Sequence, residues 1–290
     1  MATMRDVRRR IRAVQNIQQI TNALKMVAAA RLQRAQSRAA AARPYADEIL
    51  AVMSHLVRLE TDGEVQHPLL EVREPVNIGV LVVSSGRGMA GSYNVNVVRR
   101  ASDILQPYEK DRVKLVTVGK KGRLFFAKQG YDIAADFPMP STEVSFAEAG
   151  QISRTIRELF ERREVDVVYI VYTRFFSAIR RQVTDLQLLP ARPPEAEEVG
   201  RAGQVEEYLF EPRPEVLLGS LLPRYVDIQV YRAMLESLAS EHGARMMAMT
   251  AATDNASEMI DRLTLDFHRA RQAAITTELA EIVVGAEVLK

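Results

Sequence analysis

At 290 residues the chain has room for one large domain or two ordinary ones, and an apolar fraction of 47% with a mean hydropathy of −0.11 gives a water-soluble protein enough material for a core. The absence of cysteine excludes a disulfide framework, thiolate chemistry and a cysteine zinc site, and fits a reducing compartment. No apolar run approaches the roughly eighteen residues of a membrane helix, and no apolar h-region marks a secretory signal.

The net charge of +2 conceals an asymmetry. Residues 1–43 hold ten basic side chains against Asp6 alone, while the remaining 29 basic and 36 acidic groups leave the rest of the chain negative. A basic segment of this kind suits nucleic acid, an anionic membrane or an acidic protein surface. The aromatic interleaving and reading motif of a nucleic-acid binder are missing.

Residues 5–43 contain neither proline nor glycine and are rich in helix-favouring Ala, Arg, Gln, Leu and Met. Val7, Ile11, Val14, Ile17, Ile20, Leu24, Val27 and Ala28 recur at steps of three and four, which predicts one stripe along a long helix. Pro44 interrupts the pattern, which resumes with Ile49, Val52, Met53, Leu56 and Val57, so a kink or short break is expected there rather than an end. Thr61 to Pro75 reads as a linker.

The continuous apolar run Val76–Ser85 predicts a buried parallel strand. Residues 94–110 read as a helix, 113–118 as a strand, 122–129 as a short helix and 131–137 as an edge strand. Ser145 with Glu148 forms a capping box ahead of an amphipathic helix reaching about Arg163. Residues 165–176 and 182–189 are two further strands. This alternation predicts a doubly wound α/β domain with a partly parallel sheet. Pro190, Pro193, Pro194 and several glutamates make 190–207 an exposed loop, after which Pro214 opens a helical segment running through Pro223.

From about Tyr225 to Gly285 only Gly243 and Gly285 interrupt a helical composition. Met249, Ala252, Ala256, Ile260, Leu263, Phe267, Ala270 and Ala274 repeat every 3.5 residues, the seam of a coiled coil. Sixty such residues run roughly 90 Å. A rod of that length needs a partner, and the N-terminal helix is one of similar length. Periodicity also admits a larger all-helical bundle. The expected fold is α/β: a long antiparallel coiled coil of residues 1–60 with 213–290, and a doubly wound, Rossmann-like α/β domain inserted over 75–212.

Gly86, Gly88 and Gly91 complete a GxGxxG between a strand and a helix, the setting of a dinucleotide fold. The second strand, however, ends Val118-Gly119-Lys120-Lys121 with no carboxylate for a ribose, and Asp103 sits mid-helix. A nicotinamide oxidoreductase and a basic coiled-coil nucleic-acid binder are the two readings from other function classes. His55, His67, His242 and His268 have no metal-ligand spacing, and no Ser/His/Asp set or phosphate loop is visible. Asp254, Glu258 and Asp261 read as a solvated helix face, and Met246, Met247 and Met249 as seam filling. Catalytic chemistry has no candidate, and no cofactor or metal is expected.

Residues 5–36 and 244–285, with KMVAAA, ATDNA and ARQAAIT, resemble the two ends of the gamma subunits of F-type ATP synthases; the middle turn, SSGRGMAGSYN, resembles that family's strand-to-helix turn. The resemblance covers essentially the whole chain. It implies the central rotary shaft of the complex, non-catalytic itself. The paired helices would turn inside a ring of three alpha and three beta subunits. The α/β domain would lie against the epsilon subunit and the c-subunit ring, with no nucleic acid, at the cytoplasmic face of a bacterial plasma membrane. Arg271, Gln272 and Thr276 would contact a beta-subunit loop. Arg8, Arg9, Arg10, Arg12 and Lys25 would face acidic partner surfaces, and Arg87 on the turn is a further partner contact. The apolar tip Ile282, Val283, Val284, Val288 and Leu289 would sit in a sleeve of the partner ring. Gly86 stands where the family usually carries Asp, Gly243 and Pro223 are further departures, and the cysteine-bearing insertion of chloroplast members is absent.

Overall fold

A computed structural model describes residues 4–61, 67–191 and 214–288; residues 62–66 of the linker, 192–207 of the proline-rich loop and Leu289 of the tip lie outside them. The chain divides into two compact units, one of Met1–Ala28 with Arg245–Lys290 and one of Ala29–Ala244. Two long helices, α1 (Met4–Thr61) and α5 (Pro214–Val288), contribute to both.

The helical assignment of α1 passes Pro44 without interruption. The four alanines Ala39–Ala42 just before it carry the strongest helix propensity, which offsets the lost hydrogen bond. Pro223 is likewise held inside α5.

The second unit is built on one five-stranded sheet, β1 (Ile78–Val83), β2 (Val113–Val118), β3 (Asp132–Phe137), β4 (Val167–Phe175) and β5 (Arg181–Leu189), in the order β3-β2-β1-β4-β5. The first four strands are parallel, and β5 runs antiparallel to β4. All six residues of β1 are buried, as a central parallel strand requires, while β3 at the edge shows alternating exposure. Between the strands run α2 (Tyr93–Leu105), α3 (Lys120–Lys128) and α4 (Phe146–Glu161). Ile78, Val80 and Val82 pack with Val97, Ala101 and Leu105 of α2 and Phe126 of α3. After β3 the chain returns past β2 and β1 to place β4 beside β1, with α4 in that connection.

One helix boundary differs from the sequence reading for a local reason and another agrees with it. Helix α2 ends at Leu105 because Pro107 cannot donate the next hydrogen bond, and Lys110–Arg112 form a separate 3-10 turn. Helix α4 starts as the capping box predicts: Ser145 Oγ accepts from Glu148 N at 3.2 Å, and Ser145 N donates to the Glu148 carboxylate at 2.9 Å.

From Ala233 to Ala244 every residue of α5 is buried. Its polar side chains there serve the sheet. Ser237 Oγ accepts from Thr173 N at 3.2 Å, Ser240 Oγ donates to Thr173 O at 3.1 Å, and the Glu236 carboxylate accepts from Phe175 N at 3.3 Å. Gly243 passes behind the β4–β5 turn, where a Cβ would stand 3.3 Å from Arg181 Nη1 and 3.6 Å from Ala178 Cα. The nearest atom is the far end of a flexible side chain, and alanine regains about 1 kcal/mol of helix propensity. Gly243→Ala should therefore hold or raise the urea midpoint, whereas Gly243→Leu should lower it clearly. A large loss with alanine would show that the Arg181 guanidinium cannot give way.

Candidate functional site

The two contacts that fix how α1 and α5 pair in the first unit are Thr21 with Thr253 and Arg8 with Phe267. Thr253 Oγ1 lies 2.8 Å from Thr21 Oγ1, and each hydroxyl also reaches a carbonyl on its own helix, Met249 at 2.8 Å and Gln18 at 3.0 Å. The Arg8 guanidinium stands over the Phe267 ring, 5.4 Å from its centroid. Thirteen residues back along α1 correspond to fourteen forward along α5, so the helices run antiparallel.

Burial along α5 follows the expected seam: Met249, Ala252, Thr253, Ala256, Ile260, Leu263, Thr264, Phe267 and Ala270 are covered, and from Ala251 onward the positions between them are exposed. On α1 Val7, Ile11, Val14, Gln18, Thr21, Lys25 and Ala28 are covered at an unbroken alternation of four and three, and Asp6 and Leu24 are half-buried beside them. Three residues expected in the stripe are not in it. Ile17, Ile20 and Val27 are 52%, 59% and 48% exposed. They form a second apolar row beside the seam, and its remaining member, Leu24, is half-buried next to the seam positions Gln18, Thr21 and Lys25.

Ala274 also departs from the expected seam. At the observed register Ala270 lies opposite Met4, and Ala274 has no counterpart among the described residues. Residues 271–280 are accordingly exposed on every side. Arg271, Gln272 and Thr276 belong to this bare stretch. Thr276 Oγ1 donates to the backbone carbonyl of Gln272 at 2.9 Å, so its proton is used locally and its lone pairs face outward. Ile275, Leu279, Ile282 and Val283 are exposed along the same stretch.

The basic residues are placed unequally. Arg9 pairs with Asp6 at 3.0 Å and remains 82% exposed, Arg8 is held over Phe267, and Arg10 and Arg12 are exposed. Lys25 is half-buried on the seam side. The sequence reading brought Arg8, Arg9, Arg10, Arg12 and Lys25 together as one run; the structure separates Lys25 from the rest.

Arg87 is exposed on the turn after β1, in the second unit. That turn closes on itself. Asn94 Oδ1 accepts from Ser85 N at 3.0 Å and Ser85 Oγ at 2.9 Å, and Met89 and Gly91 adopt positive φ of 60° and 54°. The glycine-rich run thus serves a sharp bend whose amide is already satisfied by a side chain. Gly119 and Ser84 seal the neighbouring turn. Ser84 Oγ lies 3.0 Å from the carbonyls of Val118 and Gly119 and accepts from Gly122 N at 2.8 Å. Among the described residues no group of histidine and acidic side chains is placed to hold a metal ion, and no helix is long and apolar enough to cross a membrane.

Residues 3–289 match the family described as ATP synthase. The chain is 47% identical to the ATP synthase gamma chain of Heliobacterium modesticaldum and 46% identical to that of Moorella thermoacetica, over the full length of both chains in each comparison. Among solved structures it resembles a chain of the Tetrahymena thermophila mitochondrial ATP synthase central stalk and c-ring, with a TM-score of 0.61 and 26% identity over 80% of this chain and 99% of that one. It also shares the fold of a chain of the Euglena gracilis mitochondrial enzyme, with a TM-score of 0.68 at 19% identity over 99% and 94%. Paired terminal helices, an inserted α/β unit and a full-length match agree: the chain belongs to the gamma-chain family of F-type ATP synthases, the non-catalytic central-stalk subunits that couple rotation to ATP synthesis and hydrolysis.

Proposed function

We propose that the α1–α5 pair turns inside a ring of three alpha and three beta subunits, and that Arg271, Gln272 and Thr276 make and release contacts with a beta-subunit loop. The observation that carries this reading is the bare stretch 271–280, which no described residue of α1 faces and which presents polar groups and apolar side chains together. Arg271 offers a forked donor suited to carboxylates, and Gln272 a neutral hydrogen-bonding amide. A shaft of this kind works by contacting different beta conformers unequally, since a partner that touched all of them alike could shift none.

Arg8, Arg9, Arg10 and Arg12 are exposed, as exchangeable contacts to acidic surfaces need to be, each worth about 0–1 kcal/mol. Lys25, half-buried on the seam side, offers least to a partner. The second apolar row, Ile17, Ile20 and Val27, and the exposed Ile282 and Val283 of the tip suit the apolar lining of a sleeve. In this reading 1–60 and 213–290 supply the shaft. The region 75–212, with Arg87 on its turn, meets the epsilon subunit and the c-ring at the cytoplasmic face of a bacterial plasma membrane. Full-length bacterial relatives support that placement.

The test is Arg271→Ala with Gln272→Ala in the reconstituted complex, with ATP synthesis and assembled amount measured separately. A fall in synthesis of tenfold or more at normal assembly is expected. Normal synthesis at normal assembly would sink the contact role.

A further inference from the structure

The turn between β4 and β5 carries a surface that the shaft does not use. Phe176 N and Ser177 N both donate to Arg180 O, at 3.2 and 3.0 Å. Ser177 Oγ accepts from Ile179 N at 3.3 Å and Arg180 N at 2.9 Å. From behind, Arg181 Nη1 donates to Ala178 O at 2.9 Å, and α5 passes close at Gly243. Every turn of chain at this tip is braced, so its outward side chains are held rather than merely tethered.

Those side chains form a set. The Phe176 ring carries Arg174 at 5.2 Å and Arg180 at 4.9 Å from its centroid. Beside them Ile179 is 80% exposed, the highest value for a large apolar side chain among the described residues. Neither guanidinium pairs with a carboxylate among the described residues. A guanidinium that meets a ring through its face keeps an N–H edge able to fork onto a carboxylate. Two such edges beside a bare isoleucine suit carboxylates flanking an apolar gap. A free anion would leave Ile179 uncovered. One isoleucine and one half-exposed phenylalanine offer too little apolar area to hold a bilayer.

We infer that the β4–β5 tip docks on an acidic segment of a neighbouring subunit of the complex, with Arg174 and Arg180 on its carboxylates and Ile179 in an apolar gap beside them. This rests on the chain's place in the synthase and not on the contacts of Arg271, and the two fail separately.

Because the chain has no cysteine, Ile179→Cys creates a single labelling site. Its reaction with a maleimide should be at least tenfold slower in the assembled complex than in the free chain, and equally slow when the complex also carries Arg271→Ala and Gln272→Ala. Arg174→Lys and Arg180→Lys, treated with a carbodiimide in the complex, should form amide links to Asp or Glu of another subunit, located by mass spectrometry. Labelling at the free-chain rate in the complex would overturn the proposal. Protection without any such link would overturn the carboxylate pairing. Links to a second copy of this chain would overturn the choice of partner. Protection of the free chain by anionic lipid vesicles, with none from the other subunits, would replace it with a membrane contact.

Discussion

Gly119→Ala should destabilise the α/β unit by about 3 kcal/mol or more, lowering its melting temperature by roughly 10 °C for a unit of this size. Gly119 holds a φ of 92°, and a Cβ there would lie 2.3 Å from Ser84 O and 2.8 Å from Ser84 C. Both are backbone atoms of the chain leaving β1, and they cannot move without breaking the Ser84 bonds to the Val118 and Gly119 carbonyls and to Gly122 N. Gly130→Ala is the control. Its φ is 79°, equally left-handed, but a Cβ there meets nothing within 4 Å. Only the backbone term of about 1 kcal/mol should be lost. Equal losses at the two positions, measured by thermal unfolding, would show that dihedral strain alone sets the cost and that the approach to Ser84 does not.

Asp227→Ala should cost about 3 kcal/mol by removing the tie between α4 and α5. Ser153, fully buried on α4, donates to Asp227 Oδ1, and Arg157 Nη2 stands 3.4 Å from the same oxygen. The Asp227 and Arg157 side chains are only 17% and 18% exposed, and Arg157 Nε is already buried with no hydrogen-bond partner. Taking the carboxylate away leaves a guanidinium uncompensated in a place water barely reaches. The double replacement Asp227→Leu with Arg157→Met should recover most of the loss, since an apolar pair of similar volume leaves no such charge. Urea unfolding of Asp227→Leu, Arg157→Met and the double variant closes the cycle. A double variant as unstable as the sum of its parts would mean that the two groups act independently.

Much of the architecture was legible in the sequence because few alternatives existed. Residues 113–118 could only be a buried strand, and Ser145 with Glu148 set the start of α4. The shaft was legible as a period but not as a face. Hydropathy favours Ile17, Ile20 and Val27, yet the heptad register set by Val7, Ile11 and Val14 selects Gln18, Thr21 and Lys25. Choosing between two rows of one helix requires knowing which row the partner covers, and the hydroxyl on Thr253 that meets Thr21 lies 232 positions away. Arg271, Gln272 and Thr276 enter the sequence reading only through the family resemblance; the structure exposes the whole stretch 271–280, opposite no described residue of α1. The Arg174, Phe176 and Arg180 set was hidden inside what reads as a strand running through Phe176. No periodicity marks a turn whose order comes from one serine hydroxyl and a helix behind it.

The unbroken four-three alternation from Val7 to Ala28 makes the shaft's response to torque chiral. A straight helix drifts about 20° per heptad against a 3.5-residue repeat, so three heptads accumulate roughly 60°, and the pair must wind left-handed to keep its contacts. A left-handed rope twisted further in its own sense draws its strands together, while the opposite twist pries them apart. The segment of the seam expected to yield first in the loosening sense is the one whose seam positions carry an amide, hydroxyls and a lysine stem, with Leu24 half-buried beside them. The same pair of helices should therefore resist one sense of twist more than the other and give way first between Gln18 and Lys25.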